Sequence, residues 1–299
     1  MSINFKIIES ANMTEYQNEL SNIEKSITYP LNGGADSFSI NHGERYPQFF
    51  SDMGEARFIL AFNGKKLCGS IAGIWKRIKI NKKSICGLYI GDLKTISRYR
   101  GLKIPLKMVY HALLKYIFNP KYRGWDFLYY IGMNSQKGNV TKTFKGFHLG
   151  KFSKSICNQK IYIINSNNLN KLSHYNFRLQ NGMIIDLSPN NLNKIITNEG
   201  KKNLTLQSSG EIMRLAHIHF QIDENINKTL SQFSKKIMNQ FPDYKICFAV
   251  DEKNRDFIDF LNQNNIKSDT TCSVYTFNWP IIGYNLRNSK FISLSTAEI

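Results

Sequence analysis

Tyr89-Ile90-Gly91-Asp92-Leu93-Lys94-Thr95-Ile96-Ser97-Arg98-Tyr99-Arg100-Gly101-Leu102-Lys103-Ile104-Pro105-Leu106 holds a change of period. Up to Thr95 the residues read as the end of a β-strand that begins near Ser84. From Leu106 on, Leu106, Val109, Tyr110, Leu113, Leu114 and Ile117 recur every three or four residues, which predicts an amphipathic helix packed on a sheet. Pro105 suits the first turn of that helix and Asn119-Pro120 ends it. A strand that runs through a short basic turn straight into a helix points free backbone N–H groups and the positive end of the helix dipole at one place. Arg98, Arg100 and Lys103 add formal charge there, and a pyrophosphate is the natural occupant.

Working outward, Arg57 to Phe62 and Leu67 to Ile74 are apolar runs joined by Asn63-Gly64-Lys65-Lys66, a strong hairpin signal. With the strand from Ser84 to Thr95 they predict an antiparallel meander over residues 57–95. Thr14 to Ile27 reads as helix and Tyr29 to Gly43 as loop. Beyond the helix, a strand is expected at Asp126 to Ile131, a short helix at Asn139 to Phe144, and a strand at Lys160 to Ile164.

The polar stretch Asn165-Ser166-Asn167-Asn168 reads as a linker, after which the order of elements returns. Strands are expected at Leu215 to Ile222, Lys245 to Val250 and Thr271 to Phe277. Helices are expected between them, one carrying Leu230, Phe233, Ile237 and Phe241, the other spanning Asn254 to Gln263. Two halves with one β-α-β-α-β order suggest a duplication. The boundaries that follow are 1–165 for the first half, 166–173 for the linker, 174–283 for the second half and 284–299 for a tail without clear period. The fold class expected is α+β, each half a mixed, mostly antiparallel sheet flanked by helices.

The chain has 299 residues and a formal charge of +18, which invites a polyanionic partner. Compositional bias toward Lys, Asn and Ile accounts for much of that charge, because only Arg98 to Lys103 joins basic residues to an anion-binding backbone. No run reaches the roughly 18 apolar residues of a membrane-spanning helix. No secretory signal is read at Met1 to Ser10, and the five scattered cysteines (Cys68, Cys86, Cys157, Cys247, Cys272) suit a reducing, cytoplasmic setting without disulfides. His217-Ile218-His219 would share one strand face, but no third ligand lies near, so a structural role is expected and no metal. The chain has no G-x-S-x-G elbow, Walker lysine or H-E-x-x-H helix, which argues against hydrolase, P-loop and zinc-protease chemistry.

The run from Gly91 to Ile104 resembles the acyl-CoA-binding segment of the GNAT family of N-acetyltransferases, where a splayed strand leads into an Arg/Gln-x-x-Gly-x-Gly/Ala turn and a helix. The resemblance covers roughly residues 3–164, and residues 174–280 would suit the degenerate second copy found in tandem members. It implies a V-shaped opening between the fourth and fifth strands that takes acetyl-CoA or another acyl-CoA, and transfer of the acyl group, with acetyl the expected one, to an amine by direct attack on the thioester. Leu93, Lys94 and Thr95 would offer backbone groups to the pantetheine arm. Arg98, Arg100, Gly101, Leu102, Lys103, Ile104 and Pro105 would surround the pyrophosphate, and Asn139 would lie near the cofactor arm. Asp92 is the candidate general base, with pairing to Lys94 or Arg98 to hold the turn as its other reading, and Glu44 and Glu55 are further acids on the approach.

This chain departs from the pattern in three ways. Lys103 and Pro105 stand where small residues belong, Pro105 has no N–H to give, and Lys142, Thr143 and Phe144 stand where the family often has a tyrosine acid. The acceptor is an amine of unspecified type, small molecule or peptide. Asp223 and Glu224 would repel a polyphosphate in the second half, which is expected to shape the substrate pocket. Two other readings stay open: a non-catalytic CoA-binding protein of the same fold, and a basic nucleic-acid-binding module, for which no recognition motif is present.

Overall fold

A computed structural model describes residues 2–31, 34–135, 138–139, 153–175, 182–197, 199–277 and 289–299. β1 (Ile3–Glu9) leads to α1 (Gln17–Glu24), β2 (Thr28–Leu31), β3 (Asp36–Asn41) and α2 (Tyr46–Ser51). The meander follows as β4 (Glu55–Asn63), β5 (Lys66–Ile80) and β6 (Lys83–Thr95), then α3 (Ile104–Phe118), β7 (Phe127–Ser135), β8 (Gly138–Asn139), β9 (Ser153–Ile164) and α4 (Ser166–Leu172). The rest comprises β10 (Ile184–Asp186), β11 (Lys194–Thr197), β12 (Asn203–Leu206), β13 (Ile212–Met213), β14 (Leu215–His219), α5 (Ile226–Gln240), β15 (Lys245–Asp251), α6 (Arg255–Gln263), β16 (Thr270–Phe277) and β17 (Phe291–Ser293).

The α+β class and the mixed, mostly antiparallel sheet are as expected. A 13-stranded sheet has the main order β1-β4-β5-β6-β7-β16-β9-β15-β14-β11, and β13-β12-β3-β2 form a second, small sheet. The repeat is visible in its parallel pairs: β6 with β7 around α3, and β14 with β15 around α5. Each half gives its last strand to the other. β16 pairs with β7 of the first half, while β9 pairs with β15 of the second, so the two sheets fuse into one.

Packing follows the alternation of apolar residues. Phe58, Leu60 and Phe62 of β4 point into the first core with Ala72, Ile74, Tyr89 and Tyr129, beneath Leu20 of α1 and Phe50 of α2. Ile59, Ala61 and Ile71 point to the other face, toward Ile104 and Met108 of α3. A second core joins Tyr162, Phe248, Leu230, Phe233 and Ile237.

Several expectations need correction. The linker 166–173 falls on α4: Asn165 accepts from the Asn168 N–H at 2.9 Å as its cap, and Leu169 and Leu172 are buried. Polar Asn/Ser composition suggested a linker, but the two leucines three apart anchor a helix. Tyr29 to Gly43 is not loop, because β2 and β3 pair there and continue into β12. Asn139 does not open a helix; it lies in β8 opposite Asn134. Lys142, Thr143, Phe144 and His148 lie outside the described residues. The unassigned tail carries β17, and its Ile292 and Leu294 enter the first core.

Candidate active site

The site begins where β6 and β7 part. Their parallel pairing runs from Gly87 opposite Phe127 to Ile90 opposite Tyr130 and stops, although β6 continues to Thr95 and β7 to Ser135. The strands therefore splay, and the β7-side edge of residues 91–95 has no neighbouring strand among the described residues. On the other edge β5 pairs Ala72 with Gly91 but Ser70 with Lys94, so β6 uses one extra residue. Asp92 sits in this bulge with φ 55°, a left-handed conformation that Asp tolerates better than most residues. The bulge reverses the alternation of the strand. Leu93 joins Ile90 on the α3 face, and Asp92 and Lys94 both turn to the opposite face.

A buried charge cluster results. Lys94 donates to Glu24 at 2.7 Å and pairs with Asp92, while Tyr46 donates its hydroxyl to Asp92. Glu24 also accepts the His42 N–H at 2.9 Å and pairs with the His42 ring at Nδ1. Two carboxylates thus share one ammonium, so their ionisations are driven apart. Burial opposes the charge of Glu24, but the His42 hydrogen bond and Lys94 outweigh it and hold the carboxyl down at about 2. Burial lifts Asp92 to about 7 against the pull of Lys94, with Glu24 adding to the rise. Lys94 is buried too, yet its two carboxylates hold it firmly charged. Burial pulls the His42 ring down to about 4, so it is neutral, and its Nε2 has no partner among the described residues.

Around the end of β6 the chain turns through Ser97–Tyr99 into α3, with Gly101 at φ 95° and Lys103 at φ 55°. The first N–H groups of a helix have no partner inside it. Pro105 has none, so Ile104 and Leu106 supply them before Lys107 bonds to the Lys103 carbonyl at 3.0 Å. Arg98, Arg100 and Lys103 are exposed around this turn, as are Gly101 and Leu102, while Ile104 and Pro105 are buried. Arg98 lies over the Tyr99 ring at 4.8 Å. Leu93, Lys94 and Thr95 line the splayed edge, with the Lys94 side chain committed to the buried cluster.

A cavity of about 770 Å³ passes through the opening. On one side it runs beneath α3, between Val109, Leu113 and Tyr116 and the sheet residues Ile71, Gly73, Leu88, Ile90 and Leu128. The sheet-facing helix residues after Met108 remain half-buried, so the helix stands off an apolar floor. On the other side the cavity touches Asp92, Lys94, His42 and Tyr29, then reaches Lys202 under the small sheet. The Tyr29 hydroxyl makes no hydrogen bond among the described residues, and burial raises its pKa in the combined field of Lys94, Asp92 and Glu24.

Glu44 and Glu55 do not line this cavity: both are exposed, and Glu55 pairs with Arg57. His217 meets Thr296 at 2.7 Å, and His219 meets Asp186 at 2.8 Å. Sequence reasoning reached Asp92 and the α3 turn but missed Glu24, His42, Tyr46, Tyr29 and Lys202. These five come from separate elements and form no motif; only the acidity of an otherwise apolar helix face at Glu24 hinted at a buried partner.

No protein-family model and no curated protein matches the chain. Among solved structures it is similar to a tandem GNAT protein from the clavulanic acid biosynthesis pathway, at 8% identity and a TM-score of 0.54, covering 92% of this chain and 98% of that one. It is also similar to Saccharomyces cerevisiae N-myristoyltransferase solved with bound myristoyl-CoA and inhibitors, at 10% identity and a TM-score of 0.51, covering 97% and 85%. These are likenesses of fold: the chain has the GNAT-like fold in its tandem arrangement.

Proposed function

We propose that this protein is an acyl-CoA-dependent N-acyltransferase. The observation that carries the reading is the splay of β6 from β7, with an anion-binding turn at one end of the free edge and Asp92 across it. The pyrophosphate would rest on the Ile104 and Leu106 N–H groups and on Arg98, Arg100 and Lys103, with Gly101 and Leu102 completing the turn. The pantetheine arm would add to the open edge of Leu93–Thr95 as an extra strand.

The acceptor nitrogen would attack the thioester carbonyl, forming the C–N bond, and collapse of the tetrahedral oxyanion would then break the C–S bond and release the CoA thiolate. A backbone N–H at the end of β6 would bind the oxyanion between these events. Asp92, held near neutrality by its surroundings, would take the proton from the amine. Tyr29, whose hydroxyl is uncommitted, would give a proton to the departing thiolate in place of the tyrosine missing at residues 142–144.

The space beneath α3 favours an acyl chain longer than acetyl. A carbon unit needs about the room of one water, ~30 Å³, so an acetyl group would leave most of the cavity empty. An empty apolar cavity is costly, whereas each buried methylene contributes about 0.8 kcal/mol. The fold likeness to an N-myristoyltransferase agrees with this reading. Thiol release from acetyl-, octanoyl- and myristoyl-CoA over a panel of amines tests it, with release expected to rise with chain length. Release with acetyl-CoA alone would refute the chain-length reading, and none with any thioester would refute acyl transfer.

Gly73 offers a sharper check. A Cβ there would meet Leu88, Trp75 and Ile90 at ordinary contact distances of 3.6 to 3.8 Å, facing the space under α3. Gly73→Phe should fill that space and lower kcat/KM for myristoyl-CoA by about tenfold or more, as expected for a pocket losing a few methylene sites. Acetyl transfer should persist.

A further inference from the structure

Away from α3, the cavity opens into a chamber between the main sheet and the small sheet, walled by apolar residues such as Leu31, Phe38, Leu204, Leu215 and Cys247. Lys202, just ahead of β12 and only 4% exposed, lines this chamber as a cation with no carboxylate of its own among the described residues, whereas Lys94, at the chamber's mouth, is held by Asp92 and Glu24. The Lys202 ammonium makes no hydrogen bond or ion pair with any described residue; its neighbour is the Phe49 ring, 5.4 Å from Nζ. The carboxylates whose field reaches it are engaged elsewhere. Glu24 holds Lys94 and His42, and Glu298 holds Lys76, Ser188 and Asn191. Burial accordingly pulls the Lys202 ammonium down to about 8, as expected for a charge that lacks its counter-ion.

We propose that Lys202 is the anion-recognising residue of the acceptor site, and that the acceptor is an amine carrying a carboxylate on an apolar body, as in an amino acid with an apolar side chain. The inference rests on the acyl-transfer reading above. A monoanion balances one lysine, whereas a phosphate dianion would bring a second negative charge into a cavity that the Glu298 carboxylate also lines. A polyamine would be repelled by Lys202 and Lys94, and the hydroxyls of an aminosugar would lose their hydrogen bonds in this chamber. The amine of the acceptor would lie toward Asp92, its apolar side chain against Leu31, Leu204 and Leu215.

The full chain and its Lys202→Met variant test the proposal with leucine and phenylalanine as carboxylated amines, and with leucinamide, phenethylamine and spermidine as comparisons. Thermal shift reads binding, and thiol release from acyl-CoA reads turnover. The wild type is expected to prefer leucine and phenylalanine. In Lys202→Met the KM for them should rise about 10- to 100-fold, the loss expected for one charged hydrogen bond, with a smaller rise for leucinamide, which offers Lys202 no charge, and with acyl-CoA affinity unchanged. Removal of an unpaired buried charge should not unfold the chain, so an equal or higher melting temperature checks the variant. Equal use of leucine and leucinamide by the wild type, or an unchanged KM in the variant, overturns the proposal while acyl transfer stands. If no amine releases thiol, acyl transfer fails. Stabilisation by leucine that is lost in Lys202→Met would then still uphold the anion site, and its absence would overturn both.

Discussion

Asp92→Asn is expected to lower kcat by about 10²- to 10⁴-fold, the usual contribution of a positioned general base. The amide is isosteric and still accepts the Tyr46 hydroxyl, so acyl-CoA affinity should not change. The same residue dictates the pH profile. With Asp92 lifted to about 7 by burial, the base is available only above that pH, so kcat/KM of the wild type should rise with pH through an apparent pKa near 7. That limb should be missing from the residual activity of Asp92→Asn. A variant of undiminished rate, or one that keeps the limb, would move the base elsewhere. Stability carries the opposite sign. Because the folded carboxyl binds its proton up to about pH 7, above its ordinary value of 3.8, its contribution is lost as pH rises through that window.

Lys94→Met should be the most destabilising single change in the site. It leaves Glu24 and Asp92 buried without their shared cation, and breaking such a pair costs about 3–5 kcal/mol. At about 2–4 °C per kcal/mol this predicts a melting temperature lower by roughly 6–20 °C. Denaturant and thermal melts at neutral pH measure it. In the wild type, Glu24 is held at about 2 against an ordinary 4.5, so its contribution is present above pH 4.5 and lost as pH falls toward 2. Lys94→Met should flatten that acid dependence, since the carboxyl then protonates inside the fold at a higher pH. Melting unaltered by the substitution would contradict the cluster.

The parts of the fold that the chain announces are those with strong local period. The meander needs only Asn63-Gly64 and alternating apolar residues, and α3 needs only its three-and-four spacing and Pro105. The duplicated order was visible for the same reason. What the sequence could not convey is contact between distant segments. The exchange of β9 and β16 leaves each strand looking ordinary, because a strand carries no mark of its neighbour. The helix α4 was hidden by composition, since its anchoring Leu169 and Leu172 stand among asparagines and a serine. The small sheet was hidden because β2 and β3 are short and rely on β12, more than 150 residues away, to complete them.

The site divides in the same way. Asp92 and the turn from Arg98 to Pro105 lie in one run and could be read together. The bulge that turns Asp92 toward Lys94 is a property of pairing with β5, and only the structure exposes it. Glu24, His42, Tyr29 and Lys202 converge from four elements, and no spacing rule connects them. Nothing in the sequence ties His42 to its partner Glu24, which lies 18 residues earlier on α1.

Titration calorimetry of myristoyl-CoA and acetyl-CoA against the wild type and Arg100→Glu tests whether an acyl-CoA docks at the splay of β6 and β7. The account predicts saturable one-to-one binding by the wild type, tighter for myristoyl-CoA, and an affinity weakened by about tenfold or more when a carboxylate replaces a guanidinium facing phosphate. Absence of binding to the wild type, or equal affinity in Arg100→Glu, would contradict it.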